Sequence, residues 1–254
     1  MGFYLVTNSA KKADRAFWQS PEGKMRGMAF CRLRVVSTTQ RSGHSLTENG
    51  GIGTEQKETM KRNLMESAVR VVAREGLEKT TTRLISLEAK LNEAYLYRCF
   101  ENKEHLLAET FYNEDIRFAH HIQKTLPVMQ MSGLTWEEKC FLLWNSCWNF
   151  IIKQPDDCRF YIRYYYSANF RKYAYERHIN FFKPLIEKIS FAFRRGVNVD
   201  MLVHQIFDTM LSFAERVLSG EVADTEETTK TMFKQIFGFV SINAVPELIS
   251  GEAQ

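Results

Sequence analysis

The sequence predicts an all-α protein, on three observations. Apolar residues recur at helical spacing through most of the chain beyond residue 55. Residues that cap helices stand at the starts of those stretches. Strand-like alternation is nearly absent, in a chain with only five prolines.

Composition sets the outer bounds. A chain of 254 residues has room for one large domain or two small ones around a real core. With 44% hydrophobic and 25% charged residues it has the balance of an ordinary soluble domain. No apolar run is long enough for a transmembrane helix, and the N-terminus lacks a secretion signal, so no membrane partner and a cytoplasmic location are expected. Cys31, Cys99, Cys140, Cys147 and Cys158 are odd in number and show no CxxC spacing, which argues against a disulfide framework or a cysteine zinc site. The net charge of +4 is unevenly spread. Up to Thr54, eight basic residues face three acidic ones, a balance of +5 that leaves −1 for the rest. Residues 1–55 have no sustained period and end in the Gly/Ser/Thr-rich stretch "RSGHSLTENGGIGTEQ". They read as a basic, disordered extension: either an arm that adds phosphate contacts or a segment preceding a folded protein that starts near Met60.

The first helix is expected over residues 58–75, where Leu64, Ala68, Val71 and Val72 form one apolar stripe and Gly76 supplies a left-handed cap. A second starts near Thr81 or Thr82, capped by a threonine hydroxyl, and turns Ile85 and Ala89 inward. After a break at Lys90 and Leu91, Asn92 is a good N-cap for a third helix, with Glu93 at the positive end of its dipole and Leu96 and Phe100 facing the core. Asn102 caps a fourth helix running to about residue 126, where Pro127 ends it. Thr135 and Glu138 form a capping box for the helix "WEEKCFLLWNSCWNFIIK". Pro155-Asp156-Asp157 reads as a turn. An aromatic helix follows, then a segment over about 172–195 kinked or restarted at Pro184 and capped by Gly196. Helices over about 200–218 and 225–244 close the chain, the second with Asp224 and Glu227 as its cap pair.

Two short helices joined by a tight turn and packed on a preceding helix make a helix-turn-helix, whose second helix presents its N-terminal side chains to base edges in a major groove. "GLEKTTTRLI" (76–85) followed by "LYRCFENKEHLL" (96–107) resembles the DNA-binding domain of TetR-family transcriptional repressors. The order and spacing match from about Lys61 to Leu107. The resemblance implies a helix-turn-helix domain over 56–107 followed by a larger helical effector-binding and dimerisation domain over 108–254. It implies that Thr80, Thr81 and Arg83 touch phosphates. It implies that Asn92, Glu93, Ala94 and Tyr95 face the groove and that Tyr97 and Lys103 bind phosphate. Two positions depart from the family. Lys90 stands where the turn usually has Gly, and a left-handed residue there would cost about 1 kcal/mol, so an altered turn is expected. Glu93 stands where a basic or small polar residue is common, and as a base reader it would accept from cytosine N4.

The second half is dense in aromatic rings at helical spacing, which is more often core than ligand site. The resemblance implies an effector cavity here, with Trp144, Trp148, Tyr161, Tyr165 and Phe182 as its expected walls. An acid such as Glu176 beside them would suit an organic cation, and a long aliphatic or aromatic acid fits equally well. Apolar stripes on the last two helices, Leu202, Ile206, Met210 and Phe213, then Met232, Ile236, Phe239 and Val240, pack within the subunit or, as the resemblance implies, form a homodimer interface. His120, His121 and His178 lack metal-ligand spacing, and no nucleophile motif or phosphate loop is present, so neither metal, cofactor nor enzyme activity is expected. The functional expectation is a ligand-responsive regulator, a repressor released from a palindromic operator in double-stranded DNA by a small-molecule effector. The alternative, raised by Lys90 and Glu93, is a helical ligand- or partner-sensing protein with weak or no sequence-specific DNA binding.

Overall fold

The structure, a computed structural model, describes residues 53–250. The expected extension over 1–55 lies almost wholly outside the described residues, as does Cys31. Helix α1 spans Thr54–Glu75 and starts four residues earlier than its apolar stripe predicts. Leu64, Ala68, Val71 and Val72 are fully buried, as expected. The helix ends at Gly76, whose φ of 85° is positive but whose ψ of 163° is extended rather than left-handed helical. Only glycine is at ease there.

Helix α2 covers Thr82–Glu88, with the Thr81 hydroxyl accepting from the Leu84 amide. The following turn is not altered by its lysine. Lys90 takes φ 55°, and its amide donates to the Leu87 carbonyl while the Leu91 amide donates to that of Ser86. This pair of bonds is a Schellman closure with lysine in the position that glycine usually fills. Helix α3, Glu93–Cys99, is capped by Asn92, and α4, Lys103–Thr125, by Asn102. Pro127 does not end α4 abruptly; the chain runs on as a 3-10 helix over Leu126–Gln130.

The capping box of Thr135 and Glu138 starts α5, Trp136–Ile152, with both reciprocal bonds made. Pro155 is a correction. It opens α6, Pro155–Tyr165, instead of lying in a turn. Proline suits the first helical position because its missing N–H has no partner there anyway, and Asp156 and Asp157 favour the positive end of the dipole. The next break is also displaced. Helices α7 (Ala168–Tyr173) and α8 (Tyr175–Ile189) are divided at Ala174, and Pro184 sits inside α8. Pro184 and Asn180 are both exposed, so the carbonyl that the proline leaves unpaired faces water. Helix α9 covers Val199–Leu218 and α10 Glu226–Asn243, and α10 is capped by Thr225, not by Asp224. A short α11, Pro246–Ser250, follows. One antiparallel bridge between Phe193 and Ala244 ties the end of α8's extension to the end of α10.

Helix α4 is the hub, touching α1, α5, α6, α7 and α8. Helices α9 and α10 pack on α5, and α9 also on α6 and α8. The most extensive contact is between α1 and α6, and a single buried cluster runs from Leu64 through Phe111 and Tyr164 to Val240. The helix-turn-helix segment and the aromatic half therefore share a core. Among the described residues no helix is long and apolar enough to cross a membrane.

Candidate nucleic-acid interface and internal cavity

Ile85, Leu96 and Phe100 are buried and hold α2 and α3 on α1. Polar ties fix the angle between these helices. Glu88, at the end of α2, accepts from Arg70 Nε at 2.9 Å and pairs with Arg74 at 3.3 Å, both on α1. The Arg70 hydrogen bond, with Arg74 behind it, holds the Glu88 carboxyl below its ordinary range. Asn63 Nδ2 donates to the Ala89 carbonyl at 3.0 Å.

Glu93 turns out to be structural. Its carboxylate accepts from the Thr82 hydroxyl, so the first residue of α3 is pinned to the first residue of α2. That bond explains an acid on a face expected to be basic or neutral, and it turns Glu93 away from the role of a base reader. Asn92 is likewise committed through its carbonyl oxygen, which accepts from the Ala94 amide at 2.9 Å; its amide N–H groups stay free. Thr80 corrects a second expectation. It is 1% exposed and its hydroxyl donates to the Gly76 carbonyl at 2.7 Å, so it has no side chain to offer a phosphate. Lys103 Nζ donates to the Thr80 carbonyl at 3.2 Å, which anchors the start of α4 to the loop before α2.

What is left on the outer face is consistent. Thr81, Arg83, Ala94 and Tyr97 are exposed, and Tyr95 is half-buried beneath the Arg98 guanidinium, 5.2 Å from its ring. Lys90 is exposed in the turn between the two helices, and Leu87 on the outer side of α2 is 73% exposed. The sequence reading missed Lys90 and Arg98 as cations on this face. The signal was present for Lys90: a residue kept in a left-handed turn at a cost in stability.

In the second half a cavity of about 40 Å³ lies between α4, α5, α6 and α9. Of the expected walls only Tyr161 lines it. Trp144 and Trp148 are buried and stack on each other, with ring centres 6.2 Å apart. Tyr165 and Phe182 stand one ring behind the wall, against Phe207 at 5.7 Å and Phe118 at 6.2 Å. Glu176 is exposed and does not reach it. The remaining lining is apolar, with Phe118, Phe150 and Phe207 foremost; Glu114, Gln154 and Asp157 border it and give their polar atoms to Arg117. Burial pushes the Glu114 carboxyl up to about 7, against the opposing pull of Arg117.

Behind the cavity sits a polar triad that sequence reasoning did not find. Asp115, 1% exposed, accepts from the Tyr161 hydroxyl at 2.7 Å and faces His178 Nδ1 at 3.0 Å. It joins α4, α6 and α8 in the middle of an aromatic core where Phe111 packs on Tyr161, Tyr164 and Phe170. Two residues beyond Tyr161 on the same helix, Arg163 donates to the Val72 and Ala73 carbonyls at the end of α1. One helix thus carries both a cavity wall and a clamp on the helix that supports the helix-turn-helix. His121 is held by Ser146, and among the described residues no cluster of His, Cys, Asp and Glu has metal-binding geometry.

The expected dimer stripes also need correction. Leu202, Met210, Met232, Ile236 and Val240 are 2–8% exposed within the single subunit. Packing within the subunit consumes them, so they have little surface to give a second copy. Ile206, Phe213 and Phe239 are partly exposed. Met201 and Ile242 stand out on the free faces of the two helices at 69% and 64% exposure.

A capped helix pair with a tight turn, fixed on α1 and followed by a larger helical domain, is the arrangement of a helix-turn-helix domain joined to a helical one. Residues 64–110 match the family model of bacterial regulatory proteins, tetR family, and the chain carries that family's N-terminal domain. The fold is similar to that of a TetR family transcription regulator from Marinobacter aquaeolei VT8, at 21% identity and a TM-score of 0.57, over 72% of this chain and 96% of that one. A putative tetR family transcription regulator from Shewanella sp. PV-4 is similar at 20% identity and a TM-score of 0.58, over 73% and 98%. The transcriptional regulator FadR from Bacillus subtilis, solved in complex with stearoyl-CoA, is similar at 16% identity and a TM-score of 0.55, over 69% and 96%. Comparison with curated proteins finds no match.

Proposed function

We propose that the protein is a homodimeric, cytoplasmic repressor that binds a palindromic operator in double-stranded DNA and is released by a small-molecule effector. Residues 56–107 are the reading head, and 108–254 the effector-binding and dimerisation domain. The observation that carries this reading is α6. It offers Tyr161 to the cavity and Arg163 to the end of α1, so an occupant that displaces Tyr161 shifts the support of the reading head. An effector acts only through unequal affinity for two arrangements, and on this reading α6 is the element that moves between them. The FadR neighbour, solved in complex with stearoyl-CoA, supports the reading that this fold takes a small-molecule ligand.

On the DNA side, Ala94 and Tyr95 face bases, joined by the free amide of Asn92. Thr81, Arg83, Tyr97 and the spare donors of Lys103 bind phosphates, together with Lys90 and Arg98. Glu93 acts by fixing the angle of α3. With Lys90 in a normal turn and Glu93 paired, the two features that suggested weak DNA binding have structural explanations.

Two predictions follow from these roles. Tyr97→Phe should weaken binding to the DNA flanking its own gene and to unrelated duplex alike, whereas Tyr95→Ala should change the ranking of base substitutions by about 1–3 kcal/mol at the affected positions. Gel shifts with a substituted duplex series check both, and an unchanged ranking for Tyr95→Ala would falsify its role as a reader. Lys90→Gly should stabilise the fold by about 1 kcal/mol, because glycine takes positive φ freely, while reducing the slope of log affinity against log salt by about 1. Urea unfolding paired with salt titrations of DNA binding tests this; a variant that gains stability without losing salt dependence contradicts the phosphate contact.

A further inference from the structure

We propose that the first turns of α1 form a second phosphate rail, in which Lys57 and Lys61 bind the DNA backbone on the side of α3 away from α2. The proposal rests on the reading of α2 and α3 as a DNA-binding head. Helix α1 begins at Thr54, yet its first buried side chain is Leu64, so about 15 Å of helix precedes the core. A helical stretch with so little burial gains little stability from packing. Lys57, Lys61, Leu64 and Ala68 follow one another at helical spacing and share one face. That face is apolar where it meets the core and cationic where it runs past it. What it runs past is the end of α3. Lys61 Nζ lies 5.6 Å from the centre of the Phe100 ring, at the C-terminal cap of α3. Burial pushes the Cys99 thiol up, and the Lys57 and Lys61 charges pull it back, ahead of a smaller upward push from Glu58.

The two edges of α3 are thereby served by different helices. Glu93 and Tyr97, four apart, share the edge next to α2, where the Thr82 hydroxyl donates to the Glu93 carboxylate. Tyr95 and Cys99 share the opposite edge, beside the two lysines of α1. A helix seated in a major groove about 12 Å wide has a phosphate strand on either side. Thr81, Arg83 and Tyr97 answer to the strand on the α2 side, and Lys57 and Lys61 to the other. The cations of α1 divide accordingly. Arg70 and Arg74, farther along the helix, are taken up by Glu88. Among the described residues Lys57 and Lys61 are in no ion pair, and neither is Glu58 beside them. Both ammonium groups therefore keep their donors for an external anion. Lys57 is exposed and Lys61 half-buried. Arg62 is exposed as well, but it lies about a quarter-turn round α1 from Lys61, off this face.

The test is a salt series of fluorescence anisotropy titrations, with the full-length protein, labelled duplex from the region flanking its own gene, and a scrambled duplex of equal length. Lys57→Gln and Lys61→Gln keep most of the stem. Each should lower the slope of log affinity against log salt by about 1, and the pair together by about 2. Phosphates carry no sequence information, so both duplexes should weaken by the same factor and the ratio between them should stay unchanged. Arg62→Gln should leave the slope as it is. Lys57 is exposed, so Lys57→Gln carries the test even where Lys61→Gln also disturbs the contact with Phe100. A full slope in Lys57→Gln overturns the proposal, as does an equal loss of slope in Arg62→Gln. A wild type that does not distinguish the duplexes, with both lysine variants losing slope on each, upholds the rail and contradicts the sequence-specific reader. A wild type that distinguishes them, with lysine variants that keep its slope, does the reverse. A wild type that binds neither duplex overturns both.

Discussion

Asp115→Ala should lower the stability of the folded protein by about 3 kcal/mol or more, the largest effect of any single polar substitution in the C-terminal half. The carboxyl is 1% exposed and serves two partners from two other helices, the Tyr161 hydroxyl at 2.7 Å and His178 Nδ1 at 3.0 Å. Alanine strands both in an aromatic core. A buried polar group left unpaired costs about 1–3 kcal/mol, and here there are two, together with the space vacated by the side chain. Asp115→Asn keeps the shape and one acceptor oxygen, so it should fall between the two. Urea unfolding followed by tryptophan fluorescence measures this. A loss below about 1 kcal/mol for Asp115→Ala would mean that the triad does not organise the core.

Arg163→Met should cost about 2–4 kcal/mol, from two charge-assisted hydrogen bonds to the last carbonyls of α1 and from the favourable position of a cation at a helix C-terminus. The methionine keeps much of the apolar stem in place, so the loss reports the guanidinium and not the packing. Its functional consequence is more specific. The variant should still bind operator, because α2 is fastened to α1 independently by Glu88 and Asn63, and α3 by buried Leu96 and Phe100. Its DNA affinity should become less responsive to ligand, because the rigid link between cavity and reading head is cut. Operator affinity with and without bound ligand, compared between wild type and variant, checks this. A variant that responds as fully as wild type would show that the signal travels by another route, with α4 the next structural candidate.

The N-terminal half was legible in the sequence because its signals are local. Capping residues declare themselves within three positions, and Thr81, Asn92, Asn102 and Thr135 all cap the helices expected of them. Elsewhere a local signal had two meanings. Pro155 suits a turn and a first helical position equally, and the second wins when acids follow it. The threonine next to Asp224 took the cap that the aspartate was expected to make. Glu93 looked out of place because its partner, Thr82, lies on another helix and becomes visible only when α2 and α3 are packed.

The second half was less legible for the same reason on a larger scale. An apolar stripe shows that a face is buried and not what buries it. Leu202, Met210 and Met232 could equally have met a second copy, and in the fold they are buried within the subunit, where α9 packs on α5, α6 and α8 and α10 on α5. Aromatic spacing placed Trp144 and Trp148 on one face, and that face points into solid core instead of at the cavity. The cavity is assembled from four helices, and the Glu114, Gln154 and Asp157 side chains on its border meet at Arg117 from α4, the loop before α6, and α6 itself.

The central claim, that α1 to α3 form a sequence-specific DNA reader, is tested most directly by titrating the full-length protein into labelled duplex from the region flanking its own gene, followed by fluorescence anisotropy. The titration is repeated against a scrambled duplex of equal length and at several salt concentrations. Saturable binding at two protomers per site, at least about a thousand-fold tighter than to the scrambled duplex and weakening as salt rises, is the predicted result. Equal affinity for both duplexes, or binding indifferent to salt, would contradict it.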